Sequence, residues 1–427
     1  MTYQSPISPG LSWYEASVGE RPEYPQFNGD QSCDVAIIGG GFTGLGAAAH
    51  LAKAGVSVVL LEAYRFGDGA SGRNGGQLNT GQRAGADDHE GKLGFERAKA
   101  LFDLAEEAKH HLLDFAKSNS IEIDYKKGHM SVTHKQRYVK DFQEYPSVMA
   151  ERFGYEHLRF LDKAETAERM GSSFYQGGCY DSETGHIHPL KLVVGTARVA
   201  AKNGAHLHEN SPVTAIRHEN GKTRIETKSG TVTADRVLLA VNAYGSEKLE
   251  PVMASHVMPI QSFIGATVPL GDDVLPNGES VDDTRFMVRY FRKTNDGRLL
   301  FGGREAYTAD TPDNIAELIR NQIAEIYPAL KNVEITHAWG GSVGITMPRE
   351  PFVRDVMPGV TAIGGYSGHG VMLSNFTGRL YAEAVTGNRD RLKLFRDLDI
   401  PAFPGGRRFR KPLLTAALTW YSMLDKI

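Results

Sequence analysis

The chain has 427 residues, of which 41% are hydrophobic and 23% are charged, and its formal net charge is −3. This length exceeds what one hydrophobic core supports and predicts two or more joined domains. The small net charge excludes an electrostatic argument for a nucleic-acid partner. Two cysteines, Cys33 and Cys179, are too few for a disulfide framework and lack metal-ligand spacing, so we expect no metal site.

The N-terminal region gives no sign of export or of membrane insertion. It lacks a basic start followed by an apolar run, and the chain nowhere holds about 18 consecutive apolar residues. We therefore expect a cytoplasmic protein without stable membrane insertion. Residues 1–32 are rich in Pro, Gly, Tyr and Ser, and we predict that they form an N-terminal surface segment.

Residues 33–62 (CDVAIIGGGFTGLGAAAHLAKAGVSVVLLE) predict a strand, a glycine turn, a helix and a second strand that ends on Glu62. The G-x-G-x-x-G spacing of Gly39, Gly41 and Gly44 is typical of dinucleotide binding. The three glycines allow a tight turn, close approach of a pyrophosphate, and helix-on-strand packing, respectively. An acid at Glu62 suits the adenosine ribose and disfavours a 2′-phosphate. An ordinary βαβ turn without a ligand would leave these features unexplained.

Beyond this unit the pattern predicts short strands and a few amphipathic helices. In chain order we predict a glycine-rich loop at 66–77, helices near 95–118 and 138–153 around a strand at 128–133, a loop at 177–189, a helix at 189–203, strands at 205–210, 212–221, 223–230 and 231–243, strands and turns over 255–301 with a hairpin turn at 295–297, and a helix at 311–329. Strand, glycine turn and helix then return near the end. The dinucleotide domain is therefore discontinuous, with a β-rich domain inserted in it.

A second glycine-rich turn at 364–370 (GGYSGHG) leads into a helix that begins near Val371. The free amides at such a helix start form a fixed positive end. A reduced flavin carries negative charge at its pyrimidine edge, which a preoriented helix start stabilises. This turn and the discontinuous domain favour a flavin over a nicotinamide. The alternative is a glycine-rich helix start without a ligand.

The loop at 70–77 places Ser71, Arg73 and Asn74 among glycines. A guanidinium donates two parallel hydrogen bonds, so Arg73 suits a pyrophosphate or the face of a flavin. The alternative is an exposed arginine in a flexible surface loop.

Six segments, in chain order, resemble the glycine/D-amino-acid oxidase (DAO) superfamily of FAD enzymes: GGGFTGLGAAAHLAKAGVSVVLLE, GASGRNGGQ, TGHIHPLKL, VTADRVLLAVNAYG, RLLFGGRE and GYSGHGV. The resemblance runs from about residue 14 to the C-terminus and is closest to the γ-glutamylputrescine oxidase branch. It implies an α/β fold with an α+β insert, in which a Rossmann-like FAD-binding domain carries a β-rich substrate domain. The expected ranges are 33–90, 150–250 and 336–395 for FAD binding, 91–149 and 251–335 for substrate binding, and 396–427 for a C-terminal tail with a helix.

The resemblance also implies which residues contact FAD. The implied cofactor-binding residues are Gly39, Gly41, Phe42, Thr43, Gly44, Glu62, Ala63, Ser71, Gly72, Arg73, Asn74, Gly75, Gly76, Gln77, Val213, Asn242, Ala243, Gly368, His369, Gly370 and Val371. Some relatives attach FAD through a cysteine in the loop before the C-terminal motif. That loop reads GSVGITMPREP here, so we expect non-covalent FAD. The segment RLLFGGR lacks the lysine that assists oxygen in sarcosine oxidase relatives, which leaves the oxygen-activating group unassigned.

Flavin-dependent amine oxidation requires a neutral amine held with its α-C–H against the flavin, and no dedicated base. His369 is the best polar candidate because it lies in the flavin-facing turn, although its backbone amide alone could matter. In the predicted strand MVRYFRK, Tyr290 and Arg292 share one face. An aromatic beside an arginine suits a substrate with a distal carboxylate, and the alternative is an arginine on a solvated face. His369, Arg292 and Tyr290 are thus the candidate catalytic residues.

We expect an FAD amine oxidase that converts a γ-glutamylated amine such as γ-glutamylputrescine to the aldehyde, with dioxygen reduced to hydrogen peroxide. An oxidase or dehydrogenase of N-methyl or D-amino acids is one alternative. A flavin-bound sensor or partner protein without turnover is another. The sequence leaves the oligomeric state open.

Overall fold

The computed structural model describes residues 3–306 and 314–404, so the predicted helix of the C-terminal tail lies outside the described residues. Two large sheets organise this part of the chain. The strands are β1 (Gly10–Leu11), β2 (Gln31–Ile38), β3 (Val58–Leu61), β4 (Gln77–Leu78), β5 (Lys126–Thr133), β6 (Leu158–Leu161), β7 (Gly177–His186), β8 (His206–His208), β9 (Val213–Glu219), β10 (Lys222–Thr227), β11 (Thr231–Leu239), β12 (Met258–Pro269), β13 (Ser280–Asp283), β14 (Tyr290–Lys293), β15 (Arg298–Ala306), β16 (Ile335–Ile345), β17 (Phe352–Met357) and β18 (Val360–Gly364).

Helices pack against the sheets and connect many of their strands. The α-helices are α1 (Trp13–Ser17), α2 (Phe42–Lys53), α3 (Ala86–Leu93), α4 (Phe95–Ser118), α5 (Val139–Phe153), α6 (Lys163–Met170), α7 (Pro189–Lys202), α8 (Pro251–His256), α9 (Ile315–Ile326), α10 (Gly370–Thr386) and α11 (Asp390–Arg396). The predicted helices near 95–118, 138–153 and 189–203 are confirmed. Of the helices in the two described ranges, none is both long enough and apolar enough to cross a bilayer.

The smaller sheet has the order β17-β18-β11-β2-β3-β8, with β9 and β10 attached through β11. Its strands β18, β11, β2, β3 and β8 run parallel to one another, whereas β17 and β10 pair antiparallel with β18 and β11. All four residues of β3 (VVLL) are buried, as expected of a parallel strand covered on both faces. The carboxyl ends of β2, β3, β11 and β18 therefore meet at one edge, where ligands bind in open α/β sheets.

The larger sheet has the order β1-β16-β12-β15-β14-β13-β5-β7-β4, and β6 pairs with β7. The predicted hairpin is confirmed: β14 pairs with β15, and Gly297 in the connecting turn has φ +83°. Phe291 and Phe301 stack across this pair with ring centroids 5.1 Å apart. They pack in one core cluster with Ile319 and Ile323 of α9. The inserted region thus has an apolar core of its own.

Residues 3–32 are mostly exposed or partly exposed, as expected of a surface segment, but aromatic side chains anchor the segment in the core. Trp13, Tyr14 and Phe27 are buried, and Tyr14 is 0% exposed. The hydroxyl of Tyr14 donates to the carbonyl oxygen of Asn74 at 2.7 Å, and β1 pairs with β16. Pro and Gly suggested an exposed segment, but the aromatic side chains between them are what hold it to the body.

The prediction of a loop at 177–189 is wrong, because residues Gly177–His186 form β7. β7 pairs with β5 on one side and with β6 on the other. Tertiary pairing overrides the weak strand propensity of its glycines and acids. β7 and β16 both join the larger sheet although they fall in ranges assigned to FAD binding, so strand pairing departs from those boundaries. The division into domains otherwise stays a prediction.

Candidate active site

Two helix starts line one cavity of about 630 Å³. Gly41 precedes α2 and His369 precedes α10, and neither of these two residues caps its helix with a side chain of its own. The first amides of a helix lack partners inside the helix, and the dipole makes this end positive. Both helix starts are therefore available to negatively charged groups of a ligand that fills the cavity.

Glycines on both helices allow their backbones to approach each other closely. A Cβ atom on Gly46 of α2 would lie 2.8 Å from the Asn375 carbonyl oxygen, and one on Gly378 of α10 would overlap backbone atoms of α2. The helices therefore cross with their backbones nearly in contact. At their starts, the hydroxyls of Thr43 and Tyr366 share a hydrogen bond of 2.8 Å.

The first glycine turn has the packing that its spacing predicts. Gly39 has φ +107°, and a Cβ atom there would lie 2.7 Å from the Ala240 carbonyl oxygen. A Cβ atom on Gly44 would overlap the carbonyl of Gly39. A Cβ atom on Gly41 would meet only the Ser71 side chain within 4 Å, with Oγ at 2.8 Å. Gly39 and Gly44 therefore serve close packing, whereas Gly41 opens the turn to the cavity.

The second glycine loop closes over the start of α2. The amide of Phe42 donates to Ser71 Oγ at 3.0 Å. Asn74 Nδ2 donates to the carbonyl oxygens of Ala70 and Ser71, and Asn74 Oδ1 accepts from the Gly76 amide at 2.8 Å. Ser71 thus contacts the helix start directly, and Asn74 holds the loop in shape.

His369 lines the cavity as a neutral imidazole. Burial, followed by the charge of Arg83, lowers its pKa to about 4. Its Nε2 lies 2.9 Å from the Gly81 carbonyl oxygen, so Nε2 donates this bond and Nδ1 keeps its lone pair. Tyr290 also lines the cavity, and its hydroxyl shares a hydrogen bond of 3.1 Å with Ser262 Oγ.

The profile of the DAO family, described as FAD dependent oxidoreductase, matches residues 34–384. The chain belongs to this family. A probable oxidoreductase, OrdL, of Rhizobium meliloti (strain 1021) is 60% identical over the full length of both chains. The γ-glutamylputrescine oxidoreductase of Escherichia coli (strain K12) is 36% identical over 97% of this chain and 98% of its own. The crystal structure of glycine oxidase from Geobacillus kaustophilus aligns with TM-score 0.73 at 23% identity, covering 86% of this chain and 100% of that chain.

The cavity of this DAO family member fits FAD. The two helix starts suit the two anionic parts of the cofactor, the pyrophosphate and the reduced ring. Two buried acceptors that line the cavity, Asn79 Oδ1 and Gln82 Oε1, have no hydrogen-bond partner in the described residues. Buried polar atoms are normally paired, so these oxygens indicate a ligand with N–H donors.

Most of the predicted cofactor residues line this cavity. The lining residues among them are Gly41, Phe42, Thr43, Ser71, Arg73, Asn74, Gly75, Gly76, Gln77, Asn242, Gly368, His369, Gly370 and Val371. The other predicted residues do not line it: Gly39, Gly44, Glu62, Ala63, Gly72, Val213 and Ala243. The amide of Ser211 donates to the Glu62 carbonyl oxygen at 2.7 Å, which brings the start of β9 next to Glu62. An adenosine site at Val213 stays a prediction.

The guanidinium of Arg73 does not have the orientation that we predicted. Its Nε donates to the Gly340 carbonyl oxygen at 2.8 Å, and its Nη2 donates to the carbonyl oxygens of Pro9 and Gly10 at 2.8 and 3.1 Å. These bonds connect the glycine loop to the N-terminal segment and to β16. Arg73 therefore borders the cavity but uses its charge to hold backbone carbonyls.

The position of Arg292 also differs from the prediction. It is 4% exposed and does not line the cavity. Its Nε donates to the Gly75 carbonyl oxygen at 2.7 Å, and its Nη2 donates to the Ile187 carbonyl oxygen at 3.0 Å and to the Tyr14 hydroxyl at 3.1 Å. Alternation along β14 does place Tyr290 and Arg292 on one side, but Arg292 lies beneath the glycine loop, where substrate cannot reach it.

Sequence reasoning missed a buried lysine near His369. Lys109 is 1% exposed, pairs with Glu106 at 2.7 Å and donates to Thr80 Oγ1 at 2.8 Å. Glu106 also accepts from the Gly81 amide at 3.0 Å, so this pair fixes the turn that binds His369. One signal was available: Lys109 falls on the apolar face of the predicted helix at 95–118.

Glu62 supports the first glycine turn directly. Its Oε2 accepts from the Gly40 amide at 2.6 Å and its Oε1 accepts from the Tyr64 amide at 3.1 Å. Burial raises the pKa of this carboxyl, and the hydrogen bonds from these amides oppose that rise. The position after β3 is the one expected of a ribose-binding acid.

Replacing Glu62 with alanine is expected to weaken FAD binding about tenfold or more, which corresponds to about 1.4 kcal/mol. The change frees two amides of the turn as well as removing the expected ribose contact. Recovery of flavin fluorescence on dilution of the holoprotein measures the dissociation constant. Glu23→Ala, at an exposed position away from the turn, is the control. Unchanged affinity in Glu62→Ala would contradict this role.

Proposed function

We propose that this protein is an amine oxidase that acts on a γ-glutamylated amine such as γ-glutamylputrescine. The observation that carries the proposal is one cavity that is lined both by the two helix starts and by the charged side chains of Arg83 and Asp282. Such a cavity suits an extended substrate with a reactive amine at one end and a charged group at the other. The similarity to γ-glutamylputrescine oxidoreductase over nearly the full chain supports this substrate class.

Oxidation of the amine requires little from the protein other than binding and orienting the substrate. FAD supplies the two-electron acceptor for the hydride that leaves the α-carbon of the amine. The amine becomes an imine, and water splits the imine into aldehyde and ammonia. With FAD held at the two helix starts, dioxygen would take up the two electrons and two protons and leave as hydrogen peroxide.

The lining residues favour the reactive form of the amine. Ile264, Phe286 and Val288 border the cavity together with Tyr290. An apolar environment disfavours an ammonium ion and lowers the pKa of a bound amine. His369 stays neutral at pH 7, so it adds no positive charge that would repel residual ammonium. The start of α10 stabilises negative charge that develops at its end of the cavity.

An anaerobic reduction assay tests the proposal. Holoprotein is mixed without oxygen with γ-glutamylputrescine, sarcosine or D-alanine, and the visible absorbance of the flavin is followed. We expect γ-glutamylputrescine to bleach the flavin fastest, and air to restore the colour with stoichiometric hydrogen peroxide. Bleaching by sarcosine or D-alanine alone would favour an oxidase of N-methyl or D-amino acids. Colour that returns only with an artificial acceptor would indicate a dehydrogenase, and resistance to every amine would indicate a protein without turnover.

A further inference from the structure

We propose that Arg83 and Asp282 bind the α-amino-acid group of the substrate, with Arg83 holding the carboxylate and Asp282 the ammonium. This inference rests on the proposed function and assigns its specificity to two residues at the outer part of the cavity. Both line the cavity; Arg83 is exposed and Asp282 is partly buried.

Three arginines line the cavity, and two of them are engaged by the protein. Arg73 donates to the three carbonyl oxygens described above. Arg349 lies over the ring of Phe286, with its guanidinium carbon 6.0 Å from the ring centre. Arg83 makes no hydrogen bond and no ion pair with the described part of the chain. The guanidinium donors of Arg83 are therefore available for a carboxylate, which accepts two parallel bonds from a guanidinium.

Asp282 remains charged although it lies inside the protein. It belongs to β13, which runs parallel to β5, and its Oδ1 lies 3.4 Å from His129 Nε2. Burial raises the pKa of Asp282, but His129, a hydrogen bond from Ser131 and the charge of Arg83 together hold that pKa below its usual value. An anionic carboxylate facing a cavity attracts an ammonium group.

The two charges complement a zwitterion. Arg83 acts electrostatically on Asp282, yet the two side chains form no ion pair with each other. An α-amino acid carries a carboxylate and an ammonium on one carbon and can satisfy both side chains together. The two side chains of the lining therefore match the two charges of one ligand group.

Substrate analogues separate the two assignments. Glutarylputrescine keeps the distal carboxylate and lacks the α-ammonium, and N-acetylputrescine lacks both. For holoenzyme Arg83→Gln we expect KM to rise about tenfold or more for γ-glutamylputrescine and glutarylputrescine, with kcat nearly unchanged and no change for N-acetylputrescine. For Asp282→Asn we expect KM to rise for γ-glutamylputrescine alone. Arg97→Gln, on the exposed side of α4 and away from the cavity, is the matched control.

Several results would overturn the inference. An unchanged KM for γ-glutamylputrescine in Arg83→Gln would remove the carboxylate assignment. If Asp282→Asn does not fold, the wild-type enzyme still tests the ammonium assignment. Equal KM values for γ-glutamylputrescine and glutarylputrescine in the wild type would contradict it.

A ligand that cannot react keeps this test apart from the test of the proposed function. γ-Glutamylbutylamine carries the amino-acid group but lacks the reactive amine, and calorimetry with holoprotein measures its binding. We expect binding to the wild type and at least about tenfold weaker binding to Arg83→Gln. That result would support the subsite even if γ-glutamylputrescine were not oxidised, an outcome that would overturn the proposed function alone. Equal affinity in both proteins, or no binding to the wild type, would overturn the subsite.

Discussion

Replacing Gly41 with valine is expected to abolish FAD retention. A Cβ atom at this position already approaches Ser71 Oγ to 2.8 Å, and the two additional methyl groups extend into the cavity beside the start of α2. They would cover the amides that face the pyrophosphate and push the second glycine loop away. We expect the flavin content of purified protein to fall below about a tenth of the wild-type value, which corresponds to more than about 1.4 kcal/mol of binding free energy.

The matched control is Gly91→Val. Gly91 lies in α3, where a Cβ atom would meet nothing within 4 Å. Valine is a better helix former than glycine, so this protein should fold and retain FAD. Absorbance at the flavin and protein bands gives the occupancy of both variants, and circular dichroism verifies the fold. Full occupancy in Gly41→Val would contradict the placement of the phosphates at this turn.

Replacing Arg292 with methionine is expected to destabilise the protein by about 3 kcal/mol or more. The guanidinium joins the carbonyl oxygens of Gly75 and Ile187 to the hydroxyl of Tyr14 in a buried position. Methionine fills part of the space but leaves these oxygens without donors, and each charge-assisted bond contributes about 1.5–3 kcal/mol. Urea unfolding of wild type and variant measures the difference in the free energy of unfolding.

Arg224→Met provides the comparison, because Arg224 is exposed on β10 and should change stability by less than about 0.5 kcal/mol. The experiment also distinguishes the two interpretations of Arg292. A structural role predicts lower stability together with weaker FAD retention, since Gly75 belongs to the glycine loop. Wild-type stability combined with a raised KM would instead restore the interpretation of Arg292 as a substrate-binding residue.

The cofactor-binding part of the fold was predictable because its signals are local. The strand, turn and helix at 33–62 each follow from adjacent residues, and the structure has β2, α2 and β3 in that order. The glycine turn at 364–370 also predicted a second helix start near Val371, and α10 begins at Gly370. Neither prediction required knowledge of which distant segments meet.

The substrate side was less predictable because it depends on distant pairings. Asp282 faces His129 only because β13 lies parallel to β5, and no local pattern specifies that register. Arg292 and Arg83 illustrate the same difficulty. Arg292 is buried and donates to backbone carbonyl groups that converge on its guanidinium. Arg83 borders the cavity and has no hydrogen-bond or ion-pair partner in the described residues. Sequence reasoning selected Arg292 because of its aromatic neighbour Tyr290, whereas we propose Arg83 as the residue that binds the substrate carboxylate.

The close crossing of α2 and α10 has a consequence for synthesis of the chain. α2 ends at Lys53, whereas the glycine that it packs against, Gly378, emerges from the ribosome more than three hundred residues later. β2 likewise pairs with a distant segment, because its parallel neighbour β11 begins 193 residues after β2 ends. The nascent protein therefore cannot complete its flavin pocket until translation is nearly finished, and a product terminated before α10 should be colourless and aggregation-prone.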